Sequence, residues 1–170
     1  GLWVGNLIGS SVSVTEEQAS ALLRVGEYAR HHGYVSDEGS NCGIDFFIGT
    51  DGSLIVTEIN ARWTGGLFPA QILSQIDVQG RDAVPFFDMV LIEEREAYVD
   101  FIERHLVGEY EGEYAMVPIG FGCFPVPVEG QDYFYSWQMV VGDYDAFKQA
   151  KNKELAASVM ITADIIQPYQ

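Results

Sequence analysis

The chemistry of this chain is most visible between positions 43 and 66, in the run GIDFFIGTDGSLIVTEINARWTGG. Asp45, Glu58, Asn60 and Arg62 all fall within it. Asp51-Gly52 separates two runs of strand character, 43–49 and 54–60. Asp-Gly is among the strongest two-residue hairpin signals, because both central residues of a type I′ turn need positive φ. With Asp51 and Gly52 as those residues, Thr50 pairs with Ser53, and each further pair keeps the sum of its positions at 103. Asp45 then stands directly opposite Glu58. Direct partners on an antiparallel ladder share a face, with Cβ atoms about 4.5–5.5 Å apart. Asn60, two residues on, projects from that face too. Phe47 and Val56 continue it towards the turn, while Ile44, Phe46, Ile48, Ile55, Thr57 and Ile59 fill the other. Two opposed carboxylates destabilise a hairpin unless something neutralises them. A hard divalent cation does so, since it takes oxygen ligands, an amide oxygen among them, and bridges carboxylates to phosphate oxygens. The other reading is that one acid is protonated, or that both are solvated at a sheet margin. A one-residue bulge would also undo the register.

Elements on both sides must hold this hairpin. Thr15 and Gln18 form a T-x-x-Q capping box, Glu16 and Glu17 suit the positive end of a helix dipole, and Gly33 is a stop. Between them Ala19, Leu22, Leu23 and Ala29 supply an apolar face at helical spacing. Residues 2–8 read as extended, and 36–42 as the loop entering the hairpin. Helices are expected over 67–76 and over 81–90, where Pro85 falls in the first turn and its missing N–H costs least. A third amphipathic helix, 94–106, places Tyr98, Phe101, Ile102 and Leu106 on one side. Two antiparallel strands over 113–127 and 133–141 follow. A surface helix, 143–158, is capped by Asp143 or Asp145, and 160–166 is a final strand. No linker splits the chain, so residues 1–170 read as a single α+β unit, an antiparallel sheet with packed helices.

Composition excludes several classes. Hydrophobic residues make up 48% of the 170, enough for a core. With 25 acidic against 9 basic residues the formal charge is −16, which repels nucleic-acid phosphates and anionic lipid, so neither nucleic acid nor membrane is an expected partner. No apolar run approaches membrane-spanning length. Cys42 and Cys123 lack metal or disulfide spacing, and free thiols point to the reducing cytoplasm. No base sits beside Cys42 to make it a nucleophile. His31 and His32 together, and His105 apart, read as cations at helix ends without catalytic partners. Trp63 reads as a core tryptophan, with a wall of a substrate pocket as the other reading. The aromatics of the second half, from Tyr110 to Trp137, read mostly as core.

The order Asp45, then Glu58-Ile59-Asn60 after a short hairpin, then Arg62 and the pair Gly65-Gly66 resembles the C-terminal part of the ATP-grasp superfamily. That superfamily includes D-alanine–D-alanine ligase, biotin carboxylase and many peptide ligases. The resemblance is confined mainly to residues 33–70. It implies that Asp45, Glu58 and Asn60 ligate one or two Mg²⁺ ions on the phosphates of ATP. It also implies that Arg62 serves phosphate oxygens or an acyl-phosphate intermediate, a task that suits its fork of donors. Thr64, Gly65 and Gly66 precede an expected helix at Leu67, where backbone N–H groups can meet an anion, an ordinary helix entry being the alternative. Gly43 departs from the pattern: some members carry a basic residue two positions before the first metal-binding aspartate. That turns the expectation away from the D-alanine ligase branch and towards an amide- or peptide-forming ligase. The implied substrates are ATP, a small carboxylate and an amine. The family also draws lysines and adenine-contacting residues from an earlier lobe. Residues 1–170 are therefore expected to be the C-terminal lobe of a longer ATP-grasp protein, supplying half of an active site and inactive alone. The competing expectation is a non-enzymatic acidic α+β binding or scaffold domain, its hairpin carboxylates solvated or holding Ca²⁺.

Overall fold

In the computed structural model the described residues are 7–9, 13–35, 41–122, 126–128, 131–155 and 159–161. They form a mixed α+β structure with two antiparallel sheets and four α-helices. Two compact units result, Val12–Gln71 and Gly1–Ser11 with Ile72–Gln170. The boundary between Gln71 and Ile72 falls inside the helix Leu67–Leu73.

In the unit 12–71, helix α1 (Glu16–His31) opens on the expected capping box. Gln18 N–H donates to Thr15 Oγ1 at 3.2 Å and Thr15 N–H to Gln18 Oε1 at 2.9 Å. Arg30 and His31 occupy the last turn, where cations meet the negative end of the dipole. Gly33, at φ +95°, then takes the left-handed conformation that ends helices. Strands β1 (Gly43–Ile48) and β2 (Leu54–Asn60) form a two-stranded sheet beneath α1. Ala21, Val25 and Tyr28 flank Leu54, Val56 and Ile59, and Leu22 and Gly26 flank Ile44. The packing is thin: within α1 only Ala29 is buried. The last element here is α2 (Leu67–Leu73).

The other unit is built on strand β3 (Ala83–Leu91), sequence AVPFFDMVL. This corrects the helix expected over 81–90. A strand covered on both faces has no period-two alternation, and a short apolar run of this kind cannot be told from a buried helix by pattern. Pro85 is tolerated because backbone groups two residues apart face the same strand edge. Ala83 turns its N–H and C=O to Ile8, at 2.7 and 2.8 Å. On that edge strand β7 (Val159–Ile161) reaches only Asp88–Val90, so no described strand needs the N–H that Pro85 lacks. On its other side β3 pairs along its whole length with β6 (Gln131–Gly142). Strand β4 (Tyr114–Phe121) lies beyond β6, giving the order β4-β6-β3-β7, with the short β5 (Val126–Val128) also on β6.

One face of this sheet is covered by α3 (Arg95–Arg104) and α4 (Tyr144–Glu154). Tyr98, Phe101, Ile102, Phe147 and Leu155 pack on Phe86, Val90, Met116 and Val140. The expected side of the 94–106 helix is confirmed at Tyr98, Phe101 and Ile102, all buried. The other face packs Ala83, Val117, Met139 and Val141 against Ile72, Leu73, Ile76 and Val78. Helix α4 is capped by Asp143, which accepts from the N–H groups of Asp145 and Ala146. Its outer face is exposed at Asp145, Gln149, Asn152 and Lys153, as expected of a surface helix, and its inner face buries Phe147 and Lys151.

Lys151 is buried for a reason in β3. Its Nζ donates to Asp88 Oδ1 at 2.7 Å, with both side chains at most 2% exposed. Tyr98 OH donates to Asp88 Oδ2 at 2.6 Å. Ser136 stands opposite Asp88 on β6 and accepts from Gln138 Nε2 at 2.5 Å. Burial pushes the Tyr98 hydroxyl well above its ordinary value, and the neighbouring Asp88 charge adds to the shift. A buried ion pair contributes little net stability compared with apolar residues of the same volume, but removing one partner strands the other charge. Lys151→Met alone is therefore expected to lower unfolding free energy by about 3–5 kcal/mol. Asp88→Leu with Lys151→Met should recover most of that loss in a denaturant titration.

Candidate functional site

The hairpin turns differently from the expectation. Gly52 N–H donates to Gly49 O at 2.9 Å, and Gly49 N–H to Ser53 O at 2.7 Å. The loop thus has three residues, Thr50, Asp51 and Gly52, of which only Gly52, at φ +82°, is left-handed. Such a loop is a type I turn followed by a glycine, not the two-residue type I′ turn. Asp51 Oδ1 ties it, accepting from Ser53 N–H at 3.0 Å and Ser53 Oγ at 2.6 Å.

The longer loop moves the register by one. Ile48 pairs with Leu54, Phe47 with Ile55 and Phe46 with Val56. A bulge then intervenes: Thr57 is the extra residue, and its Oγ1 donates to the Asp45 carbonyl at 3.1 Å. Beyond it Asp45 faces Glu58, Ile44 faces Ile59 and Gly43 faces Asn60, as expected. Two irregularities cancel at the carboxylates but not between them. Val56 partners Phe46 on the α1 side, and Ile55 joins Phe47 on the face of Asp45, reversing both assignments. Phe47 is 52% and Ile55 42% exposed.

On that open face three of the expected residues are linked by side chains. Asn60 Nδ2 donates to Asp45 Oδ2 at 3.2 Å, and Arg62 Nη2 donates to Asn60 Oδ1 at 2.9 Å. The Arg62 N–H also closes onto Asn60 O at 2.7 Å, aiming the guanidinium back at the amide. The Glu58 side chain is exposed and enters no hydrogen bond or ion pair among the described residues. The set is two carboxylates and an amide beside one guanidinium. No group of three or more His, Cys, Asp or Glu side chains is gathered for a metal among the described residues. A cation here would need phosphate or water oxygens to complete a shell of six or more.

The following turn is packed onto β1. A Cβ at Gly43 would lie 2.5 Å from Thr64 Cγ2, so the Thr64 methyl fills the space of a side chain at 43. Thr64 O accepts from Leu67 N–H at 3.1 Å as α2 begins. Gly65 is exposed, its φ is not left-handed, and a Cβ there would meet nothing within 4 Å. Gly66 is partly buried, and its carbonyl accepts from Ala70 N–H at 3.3 Å. Helix α2 has seven residues, shorter than the expected 67–76. Trp63 is 49% exposed, which overturns the reading of it as a core residue.

The remaining candidates stay apart from this chemistry. His32 Nδ1 pairs with Tyr28 O at 2.9 Å, capping α1. His105 is buried, with Nδ1 on Phe101 O at 2.7 Å and its ring stacked on Tyr114. Burial, then the neighbouring Tyr110, pushes the Tyr114 hydroxyl up to about 12. Cys42 is a partly buried free thiol; Cys123 lies outside the described residues.

The bulge and the loop can each be tested. Thr57→Val removes the hydroxyl that holds the bulge to Asp45 and is expected to cost about 1 kcal/mol in thermal unfolding, with Thr57→Ser close to wild type. The Ser53 hydroxyl and then the Ser53 N–H hold the Asp51 carboxyl below its ordinary value of 3.8. Because the folded value is the depressed one, the contribution to stability is complete above the ordinary value and is lost as pH falls through the folded value. Asp51→Ala should remove this part of the acid dependence, measured as melting temperature between neutral and strongly acid pH. Compared with known protein families, curated proteins and solved structures, the chain matches none of them.

Proposed function

We propose that the β1–β2 hairpin is the metal- and phosphate-binding edge of an ATP-dependent carboxylate–amine ligase of the ATP-grasp type. One observation carries the reading: Asp45 stands directly opposite Glu58 on an exposed face, with Asn60 and Arg62 tied alongside. Opposed carboxylates that form no ion pair with a neighbour are what a divalent cation relieves. Asp45, Glu58 and the Asn60 oxygen would hold Mg²⁺, which when bound neutralises charge on the phosphate oxygens of ATP.

Chemistry in such an enzyme proceeds in two displacements. A carboxylate oxygen attacks the γ-phosphorus of ATP, the bond to the β-phosphate oxygen breaks, and ADP and an acyl phosphate result. An amine nitrogen then attacks the acyl carbon and loses a proton, phosphate leaves with the electrons of its C–O bond, and an amide forms. Arg62 is the residue here suited to the charge on the transferring phosphoryl group. Its guanidinium keeps donors beyond the one given to Asn60. Gly65 permits close approach, since nothing inside the chain requires glycine there. Neither step needs an enzyme nucleophile. A preceding lobe would supply the lysines and base contacts of the complete site, so the active protein in this reading is longer than these 170 residues. The cytoplasm is the compartment that fits a free Cys42 thiol. No helix among the described residues is long and apolar enough to cross a membrane.

The Asp45–Asn60–Arg62 chain is also satisfied without a cation. That supports the second reading, an acidic binding or scaffold domain with solvated or Ca²⁺-holding carboxylates. Glu58→Gln separates the two. In the ligase reading it weakens Mn²⁺·ATP binding by at least about tenfold, the scale on which even outer partners of a metal site act, and leaves the circular dichroism spectrum unchanged. Wild-type chain that binds Ca²⁺ but shows no nucleotide response selects the scaffold. The isolated chain is expected to show no ATP turnover in a phosphate-release assay, and measurable turnover would overturn the half-site assignment.

A further inference from the structure

A polar cleft of about 300 Å³ lies between α4 and the segment that leads into β4. Tyr110, Glu113 and Tyr114 line one wall, and Gln149, Lys153 and Glu154 line the other. Gln149 and Lys153 are one turn apart on α4, so they look out from the same side of it. The facing wall is pinned to its surroundings. Val107 N–H donates to Met116 O at 2.9 Å, and Met116 N–H donates to His105 O at 2.7 Å. Asp143, the cap of α4, donates its N–H to Glu113 O at 2.9 Å, which ties the two walls together. Gly112 is not left-handed, but a Cβ there would run into the Tyr110 ring. The glycine serves the ring, not the backbone: it lets Tyr110 lie close over the chain.

Tyr114 is the buried member of this lining. It is 3% exposed, stacked on His105 and set edge-on to Phe147. Its hydroxyl has no hydrogen-bond partner among the described residues. Buried polar groups are nearly always paired, so an orphan needs a reason. Burial, then the neighbouring Tyr110 and Glu154, push this hydroxyl up to about 12. It therefore lies towards the residues of the cleft, and at neutral pH it keeps its proton and can donate. Charges of both signs surround it. Glu154 is taken by Arg104 at 2.7 Å. Glu113 and Lys153 remain, exposed on opposite walls and in no ion pair among the described residues. We propose that this cleft binds a free amino acid, its ammonium met by Glu113 and its carboxylate by Lys153 and the Tyr114 hydroxyl. Such a molecule carries one charge of each sign, and its carboxylate accepts the proton that the chain leaves unused. A simple anion would leave Glu113 unanswered, a simple cation would leave Lys153, and a neutral sugar would answer neither. The site stands without the ligase reading of the hairpin.

Nuclear magnetic resonance on the full ¹⁵N-labelled chain tests this, with each standard L-amino acid titrated in turn. At least one is expected to shift the amide signals of Glu113, Tyr114 and Lys153 to saturation. Its N-acetyl derivative lacks the ammonium and its methyl ester lacks the carboxylate. Each should bind at least about tenfold more weakly, the scale of one hydrogen bond to a charged group. Tyr114→Phe, Glu113→Gln and Lys153→Gln are expected to weaken the parent amino acid by a similar factor. Thermal unfolding without ligand reads the hydroxyl separately. If it is an orphan, Tyr114→Phe melts no lower than the wild type. A lower melting temperature means that the hydroxyl already has a partner, such as an ordered water, and overturns the proposal. So does the absence of a response to every amino acid, an equal response to glucose, or a response that Tyr114→Phe leaves unchanged. None of these outcomes touches the reading of the hairpin.

Discussion

A β-strand has two faces, and one residue more or fewer in its pairing exchanges them. The unit 12–71 lives under that constraint, since its sheet has one face beneath α1 and one open. Had the three-residue loop set the register throughout, Asp45 would face Thr57, and Glu58 would face Ile44 on the helix side. A carboxylate would then lie under α1 and an isoleucine would be lost from it. The Thr57 bulge absorbs the extra residue and returns Ile59 to the helix and Glu58 to the open face. Bulges concentrate where a side chain must be re-aimed, and this one sits at Thr57, directly before the residue opposed to Asp45.

The other unit solves an opposite problem. There a carboxylate lies inside, at Asp88, and is made tolerable by Lys151 from α4 and Tyr98 from α3. The pair fixes both helices against one point of β3, so it acts as an address for helix packing more than as a source of stability. Open carboxylates, of which Asp45 takes an amide hydrogen bond, in one unit and an enclosed one held by Lys151 and Tyr98 in the other mark different uses of the same side chain.

Signals confined to a few neighbouring residues were legible in the sequence. The Thr15–Gln18 box, the Gly33 stop and a cap at one of Asp143 and Asp145 all follow from local rules. What misled were features decided at a distance. Residues 81–90 read as a helix because a strand buried on both faces shows no alternation, and Pro85 fits a first helical turn as well as an unpaired strand edge. The burial of Lys151 was not legible within its own helix because its partner is 63 positions away. An acid alone in the run Phe86-Phe87-Asp88-Met89-Val90 was the available hint, since such a charge must find a partner. The loop was misjudged because Asp-Gly serves both two- and three-residue turns, and the register survived only because the bulge offset the error. Trp63 could not be placed from its neighbours, as exposure depends on what the rest of the unit covers.

The contact between Gly43 and Thr64 has a consequence for how such a chain can vary. The Thr64 methyl occupies the volume where any side chain at 43 would begin. The two positions therefore constitute one unit of change: a larger residue at 43 demands a smaller one at 64, or a displaced turn. In a set of diverging sequences they should exchange bulk reciprocally, and a basic residue at 43 belongs with a different path for the backbone that carries Arg62 and Trp63. A single crowded methyl thereby links what the first strand can carry to the shape of the turn after the second.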